Sequence, residues 1–190
     1  MKELIKKETA KNVLDKYLPI MNTIMIDSLN SLKTAINVTD EKVNNRAKAT
    51  FFHAVAVEKA KKLFSDSPDI KLIEKYQSIQ IVFDKLMVGR IKKLDKNNLT
   101  SNSKSSRNSA IISQQLQMFD LPQITYIDLG YSNDPIWNAF DKLIVVCRLN
   151  DNIKWELPFD ADSIQITLKT EPIDVKPIET ETKITIKKRK

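Results

Sequence analysis

Seven cationic side chains, Lys85, Arg90, Lys92, Lys93, Lys96, Lys104 and Arg107, stand in one short stretch against a single acid, Asp95. That local excess nearly equals the formal net charge of the chain, +7, so acids and bases almost cancel elsewhere. Lysines and arginines gathered in this way displace counterions from phosphates, and Asn98, Asn102 and the neighbouring serines can donate hydrogen bonds to a phosphate backbone. Arg90, Lys92, Lys93, Lys96, Lys104 and Arg107 are therefore the expected nucleic-acid or anion contacts, with nucleic acid or an acidic protein as the partner. No aromatic residue interleaves them, which argues against a stacking platform for unpaired bases. Contacts of this kind read the backbone and carry little sequence preference.

Other residues suggest less. Asp84, Glu74 and Asp95 with Lys92 raise a metal-dependent nuclease as an alternative, in which carboxylates hold Mg²⁺ near a lysine. The strand that should end in an acid-x-Lys element carries Arg90-Ile91-Lys92 instead. Ser101-x-x-Lys104 matches the start of a serine acyl-enzyme motif, without the companion elements that motif needs. His53 falls at the edge of an apolar helical face and reads as a hydrogen-bonded boundary residue. Cys147, flanked by valines and leucine in alternation, reads as an inert core thiol. Trp137 and Trp155 read as packing anchors, and Gly130, Tyr131, Asn133 and Asp134-Pro135 as a turn.

Scarcity excludes more than abundance suggests. Only two glycines are present, Gly89 and Gly130, too few and too far apart for a phosphate-cradling loop of either common type. One histidine and one cysteine cannot supply the four ligands of a structural zinc site. No catalytic residue, metal or cofactor is expected. The opening residues MKELIKKETAKN are charged and contain no apolar core of a secretory signal. The longest clean apolar run, Leu143 to Cys147, is far short of the roughly 20 residues that cross a bilayer. A cytoplasmic protein with no membrane partner is the expectation.

The elements that would position the basic stretch follow from periodicity. A first helical segment runs from about Lys2 to Ile36, bent or broken at Pro19, and a second from about Asp40 to Phe64 with Thr39 as its N-cap. Ala49, Phe52, Ala56, Ala60 and Leu63 form the buried stripe of the second, with Arg46, Glu58, Lys61 and Lys62 off it. After Ser67-Pro68 the period becomes two: Ile79, Ile81 and Phe83 share a face, Asp84-Lys85 is a polar joint, and Leu86 to Lys93 returns as a hairpin strand. On that strand Leu86, Val88, Arg90 and Lys92 point one way, and Met87, Gly89, Ile91 and Lys93 the other. Asp95 to Arg107 reads as a polar functional loop and Ser109 to Phe119 as a short helix. Strands follow at Ile124–Leu129, Lys142–Leu149 and Asn152–Leu157, the last two joined at Asn150-Asp151. The sum is an α+β fold, N-terminal helices on an antiparallel sheet of four to five strands. Residues 1–160 form one domain, and 161–190 an edge strand or extended tail ending in basic residues.

Arg90-Ile91-Lys92-Lys93-Leu94, Gln114-Gln115, Leu121-Pro122, Leu129-Gly130-Tyr131 and Trp155-Glu156-Leu157 occur in an order that resembles a bacterial family without assigned activity. The resemblance spans about residues 46 to 158, with Gln123 where the family pattern has glycine. It implies a phage, plasmid or toxin-antitoxin context and no catalytic residue. The reading is thus a non-enzymatic accessory or regulatory protein that binds nucleic acid, with a protein-binding module or inhibitor of an acidic partner as the alternative.

Overall fold

The computed structural model describes residues 3–39, 42–75, 78–100, 106–115 and 124–159. The expected tail at 161–190 and the Leu121-Pro122 helix stop lie outside them. Three helices, α1 (Lys7–Leu14), α2 (Leu18–Val38) and α3 (Asn45–Phe64), precede strands β1 (Ile70–Lys75), β2 (Ser78–Phe83) and β3 (Met87–Lys93). Helix α4 (Ser106–Ile112) then leads to β4 (Thr125–Asn133), β5 (Phe140–Leu149) and β6 (Asn152–Pro158). The α+β expectation holds, with two corrections. The sheet has six strands in the order β1-β2-β3-β4-β5-β6. It is also not wholly antiparallel, because β3 and β4 run parallel from Met87↔Thr125 to Lys93↔Tyr131.

The helices form where apolar residues recur every third or fourth position. In α2 Met21, Ile24, Met25, Leu29 and Leu32 are buried, and the buried Ser28 hydroxyl donates to the Ile24 carbonyl at 2.6 Å, so it costs little in the core. Pro19 stands in the first turn of α2, where its missing N–H is not needed, and the chain turns there out of α1. The N-cap of α3 is Asn44, whose side chain accepts from the Ala47 N–H at 2.9 Å. Thr39, expected in that role, closes α2 instead, with its hydroxyl donating to the Ile36 carbonyl at 3.0 Å. Phe52, Ala56 and Ala60 are buried as expected, but the stripe continues to Phe64, and Leu63 is 44% exposed.

The turn from β2 to β3 uses Asp84 and Lys85, both at positive φ, the left-handed geometry that glycine would normally supply. Asp84 is held there by the Tyr17 hydroxyl, which donates to its carboxylate at 2.7 Å, and by Lys16 at 3.3 Å. The extra strand, β1, pairs with β2 from Ile70↔Phe83 to Lys75↔Ser78. Gly130, Tyr131 and Asn133 are not a turn but the end of β4, and the turn is made by Asp134 to Ala139 with Trp137 at φ 64°.

Helices α1 to α3 pack on one face of the sheet. The main core joins Met21, Leu29, Phe52 and Phe64 to Ile81, Met87, Leu129 and Val145. The chain enters this layer through residues 3–6, where the Ile5 N–H donates to the Thr125 hydroxyl at 3.1 Å and the Trp155 indole donates to the Ile5 carbonyl at 2.9 Å. Parallel neighbours require a long crossover, and here it carries α4 over the opposite face. There Ile111 packs with Val82, Val88, Ile124 and Tyr126 in a second, smaller core. Gln114 fastens the crossover: its amide donates to the carbonyls of Tyr126 and Arg148 and accepts from the Tyr126 N–H.

On this second face lies a buried charged row across three adjacent strands. Arg90 of β3 donates to Asp128 of β4 at 2.6 Å, and Arg148 of β5 reaches the other carboxylate oxygen at 3.3 Å. Thr100, on the loop after β3, accepts from Arg148 and lies 3.5 Å from Asp128. Leu94 folds back over Gly130, where a Cβ would meet its side chain at 2.6 Å, so only glycine lets the loop start this close to the sheet. Asp128→Asn would leave two buried guanidiniums without a countercharge, and it is expected to lower stability by about 3–5 kcal/mol in urea unfolding. A loss below about 1 kcal/mol would show that the row is incidental to folding.

Candidate anion-binding cleft

Of the six expected contact residues, the structure describes the side chains of Arg90, Lys92, Lys93 and Lys96, and it sets Arg90 apart from the other three. Arg90 is only 7% exposed and is ion-paired to Asp128, so it does not face solvent, a correction that follows from its position opposite an acid on the neighbouring strand. Lys92 is half-buried, and Lys93, on the other face of β3, is exposed with its ammonium 4.8 Å from the centre of the Trp137 ring. Lys96 is exposed on the loop after β3. Arg107 sits in α4 with its side chain outside the described part, and Ser101 and Lys104 lie outside the described residues altogether. Among the described residues, Arg90, Lys92, Lys93 and Lys96 do not form one continuous solvent-facing row.

Lys92 and Lys93 instead join residues that come from the helical layer. A cleft of about 590 Å³ opens between α3 and the end of β3. Arg46, His53 and Glu58 on α3, Glu74 on β1, Lys92 and Lys93 on β3 and Tyr131 on β4 line it. Its existence follows from the sheet register. Strand β2 pairs with β3 only over Ile81↔Gly89 to Phe83↔Met87, although β1 and β2 stay paired to Lys75↔Ser78. Beyond Gly89 the β1–β2 hairpin therefore parts from β3. Helix α3 bridges the opening because Phe52 is locked into a ring cluster with Tyr131 at 4.7 Å, Phe140 at 5.7 Å and Trp137 at 5.9 Å between centroids. Arg46, Thr50, His53 and Val57 then fall on one side of the helix, at spacings of three or four, and face the cleft.

The two ends of the cleft differ in charge. Lys61 pairs with both Glu58 at 2.9 Å and Glu74 at 2.8 Å, which offsets one of the two negative charges at the acidic end. Arg46, Lys92 and Lys93 have no ion-pair partner among the described residues. Burial, and then the nearby Lys92, lowers the imidazole of His53 below its ordinary value, so that it is neutral at pH 7. Burial also lowers Lys92, with Arg90 and Arg148 adding to the effect and Asp128 opposing it. Lys93 is lowered by burial against the pull of Asp141. Cations crowded together in this way gain from any anion that enters.

Other chemistry finds less support in the geometry. Asp84 lies in the β2–β3 turn bound to Tyr17 and Lys16, Glu74 is tied to Lys61, and Asp95 accepts from the N–H groups of Asn97 and Leu99. The three acids of the nuclease alternative thus stand apart, each already engaged. Among the described residues no group of three or more His, Cys, Asp or Glu side chains is placed to hold a metal. Cys147 is fully buried, and burial pushes its thiol up to about 12, as an inert core residue requires. No helix among the described residues is long and apolar enough to cross a membrane. Comparisons with protein-family models, with curated proteins and with solved structures found no match for this chain.

Arg46 and His53 were not singled out as contacts in the sequence. The available signal was the helical spacing of Arg46, Thr50 and His53 beside the apolar stripe, which does not say what faces it. A pH test follows from His53. Its folded value lies below the unfolded 6.5, so the native state binds fewer protons, and stability is full above 6.5 and lost as pH falls through the folded value. His53→Gln should flatten that loss. Melting midpoints of the two proteins below pH 6.5 check it, and parallel curves would assign the acid sensitivity elsewhere.

Proposed function

We propose that this chain is a non-enzymatic binding protein that holds the phosphate backbone of nucleic acid in the α3–β3 cleft. The observation that carries the reading is the meeting of Arg46 with Lys92 and Lys93 at one open cleft, none of them ion-paired to a carboxylate among the described residues, while the two acids at its other end share Lys61. Charge arranged in this way attracts a polyanion over a distance and neutralises phosphates on contact. Lys96, exposed on the following loop, extends the basic surface along the chain from Lys93. The rings beside the cleft do not offer a stacking surface, since Tyr131 is 3% and Trp137 1% exposed. Recognition therefore rests on the backbone, and selectivity among sequences should be low.

Fluorescence anisotropy with labelled duplex and single-stranded oligonucleotides tests this. With three phosphate contacts at roughly −0.9 each, the plot of log affinity against log salt for a duplex should have a slope of about −3. Arg46→Ala and Lys93→Ala should each weaken binding to all sequences alike and make that slope shallower by about 1. Absence of binding at low ionic strength would remove nucleic acid as the ligand. Co-purification with a stoichiometric acidic protein, unchanged by nuclease treatment, would point to the protein-binding alternative instead.

A further inference from the structure

Strand β3 is paired along its whole length on one side and along less than half of it on the other. Its register with β4 runs from Met87↔Thr125 to Lys93↔Tyr131, whereas its register with β2 stops at Ile81↔Gly89. The direction of the remaining backbone groups follows from two bonds at the ends of the strand. The Thr125 N–H donates to the Leu86 carbonyl at 2.9 Å and the Leu94 N–H to the Tyr131 carbonyl at 2.8 Å, so the even-numbered residues turn their N–H and C=O groups toward β4. By the alternation of a strand, Ile91 and Lys93 turn theirs the other way, toward the side that β2 has left. Among the described residues neither backbone has a hydrogen-bond partner on that side. Both residues line the cleft, Lys93 at its exposed rim and Ile91 at its buried floor. The cleft therefore contains a short sheet edge, with two donors and two acceptors in alternation.

Such an edge selects its ligand by chemistry. A phosphate oxygen accepts and does not donate, so it can satisfy the two N–H groups but leaves the two carbonyl oxygens facing negative charge. An extended polypeptide carries donors and acceptors in the same alternation and satisfies all four. The side chains around the edge then state which polypeptide fits. In an added strand the residue opposite Lys93 shares its face, the helical one, where Lys93 lies over Trp137 and Arg46 of α3 lines the cleft. Acids at every second position would meet these two cations. Toward the other end Glu58 and Glu74 share the single Lys61 and disfavour further acids, and a volume of about 590 Å³ admits a segment of only a few residues. We propose that the free edge of β3 at Ile91 and Lys93 is a docking site for a short extended segment of a partner protein, with acidic side chains in alternation, which adds to β3 as a strand on the side that β2 leaves. The inference goes beyond the nucleic-acid reading and does not require it. It gives the cleft a polypeptide ligand, and the two ligands exclude each other because both need Arg46 and Lys93.

The test reads the edge itself. Full-length ¹⁵N-labelled protein is mixed with the peptide acetyl-Thr-Glu-Thr-Glu-Thr-Glu-Thr-amide, and amide hydrogen exchange is followed residue by residue. When the peptide occupies about nine-tenths of the protein, exchange at the Ile91 and Lys93 N–H groups should slow by about tenfold, with no further slowing at Arg90 and Lys92, which already turn to β4. The same peptide with glutamines in place of its glutamates should bind about tenfold more weakly. A peptide of unchanged charge with methylated backbone nitrogens, which cannot donate to β3, should give no protection. Absence of protection at Ile91 and Lys93, equal protection by the methylated peptide, or equal affinity for the glutamine peptide would overturn the proposal. A labelled duplex oligonucleotide then separates the two readings. If the peptide protects the edge and no oligonucleotide binds, the strand site stands and nucleic acid is removed as the ligand. If the oligonucleotide binds with the expected salt dependence and the peptide protects nothing, the strand site fails and the nucleic-acid reading stands. If both bind, the peptide should displace the duplex, and simultaneous binding would count against strand addition in the cleft.

Discussion

One buried carboxylate, Asp128, faces two guanidiniums across three neighbouring strands, and the second face of the sheet is organised around it. Arg90 comes from β3 and Arg148 from β5, so the charge row spans the parallel pair β3–β4 and the antiparallel pair β4–β5 together. A slip of either register by one residue would send a guanidinium into the apolar core on the helical face. The row thus specifies alignment, which hydrophobic burial alone does weakly because Val, Ile and Leu are nearly interchangeable along a strand. Thr100 joins the loop after β3 to the same row, and Gln114 ties the end of the crossover to the carbonyls beside it. The polar contacts that hold the long connection are therefore also those that hold the strands.

The cleft is the counterpart on the other side of the molecule. It exists because β2 and β3 stay paired over only a short stretch while the aromatic cluster around Phe52 keeps α3 over the sheet. Packing at one end and parting at the other leave a space that neither closes by collapse nor opens fully to solvent. Its charge pattern follows from which side chains reach it. Lys61 gathers the two acids, and the cations remain to one another. Lys92 belongs to both settings, since it lines the cleft and feels the charges of Arg90, Asp128 and Arg148.

Much of the fold was legible in the sequence. The buried positions Phe52, Ala56 and Ala60, the joint at Asp84-Lys85 and the pairing of β5 with β6 about Asn150 all follow from local periods and turn chemistry that act over a few residues. Strand β1 was missed because Ile70 to Lys75 is short and mixes charge with its apolar residues. The parallel pairing was missed because a polar crossover and a loop between antiparallel strands have the same composition. Among the expected contact residues, Lys92 and Lys93 meet at a cleft and Lys96 is exposed, whereas Arg90, equal to them by type and spacing, is buried.

The sequence by itself determined the helical layer, the strands that alternate cleanly, the excess of positive charge and where along the chain it falls. Each of these depends on interactions between near neighbours or on simple composition. Only the tertiary structure decided which cations act together. Arg46 and His53 lie on a helix and Lys92 and Lys93 on a strand far along the chain, and they meet because β3 parts from β2 beneath α3. Arg90 is withdrawn from solvent because Asp128 stands opposite it in the parallel register. A charge's role depends on what lies within a few ångströms of it, and for these residues every such neighbour is distant in sequence.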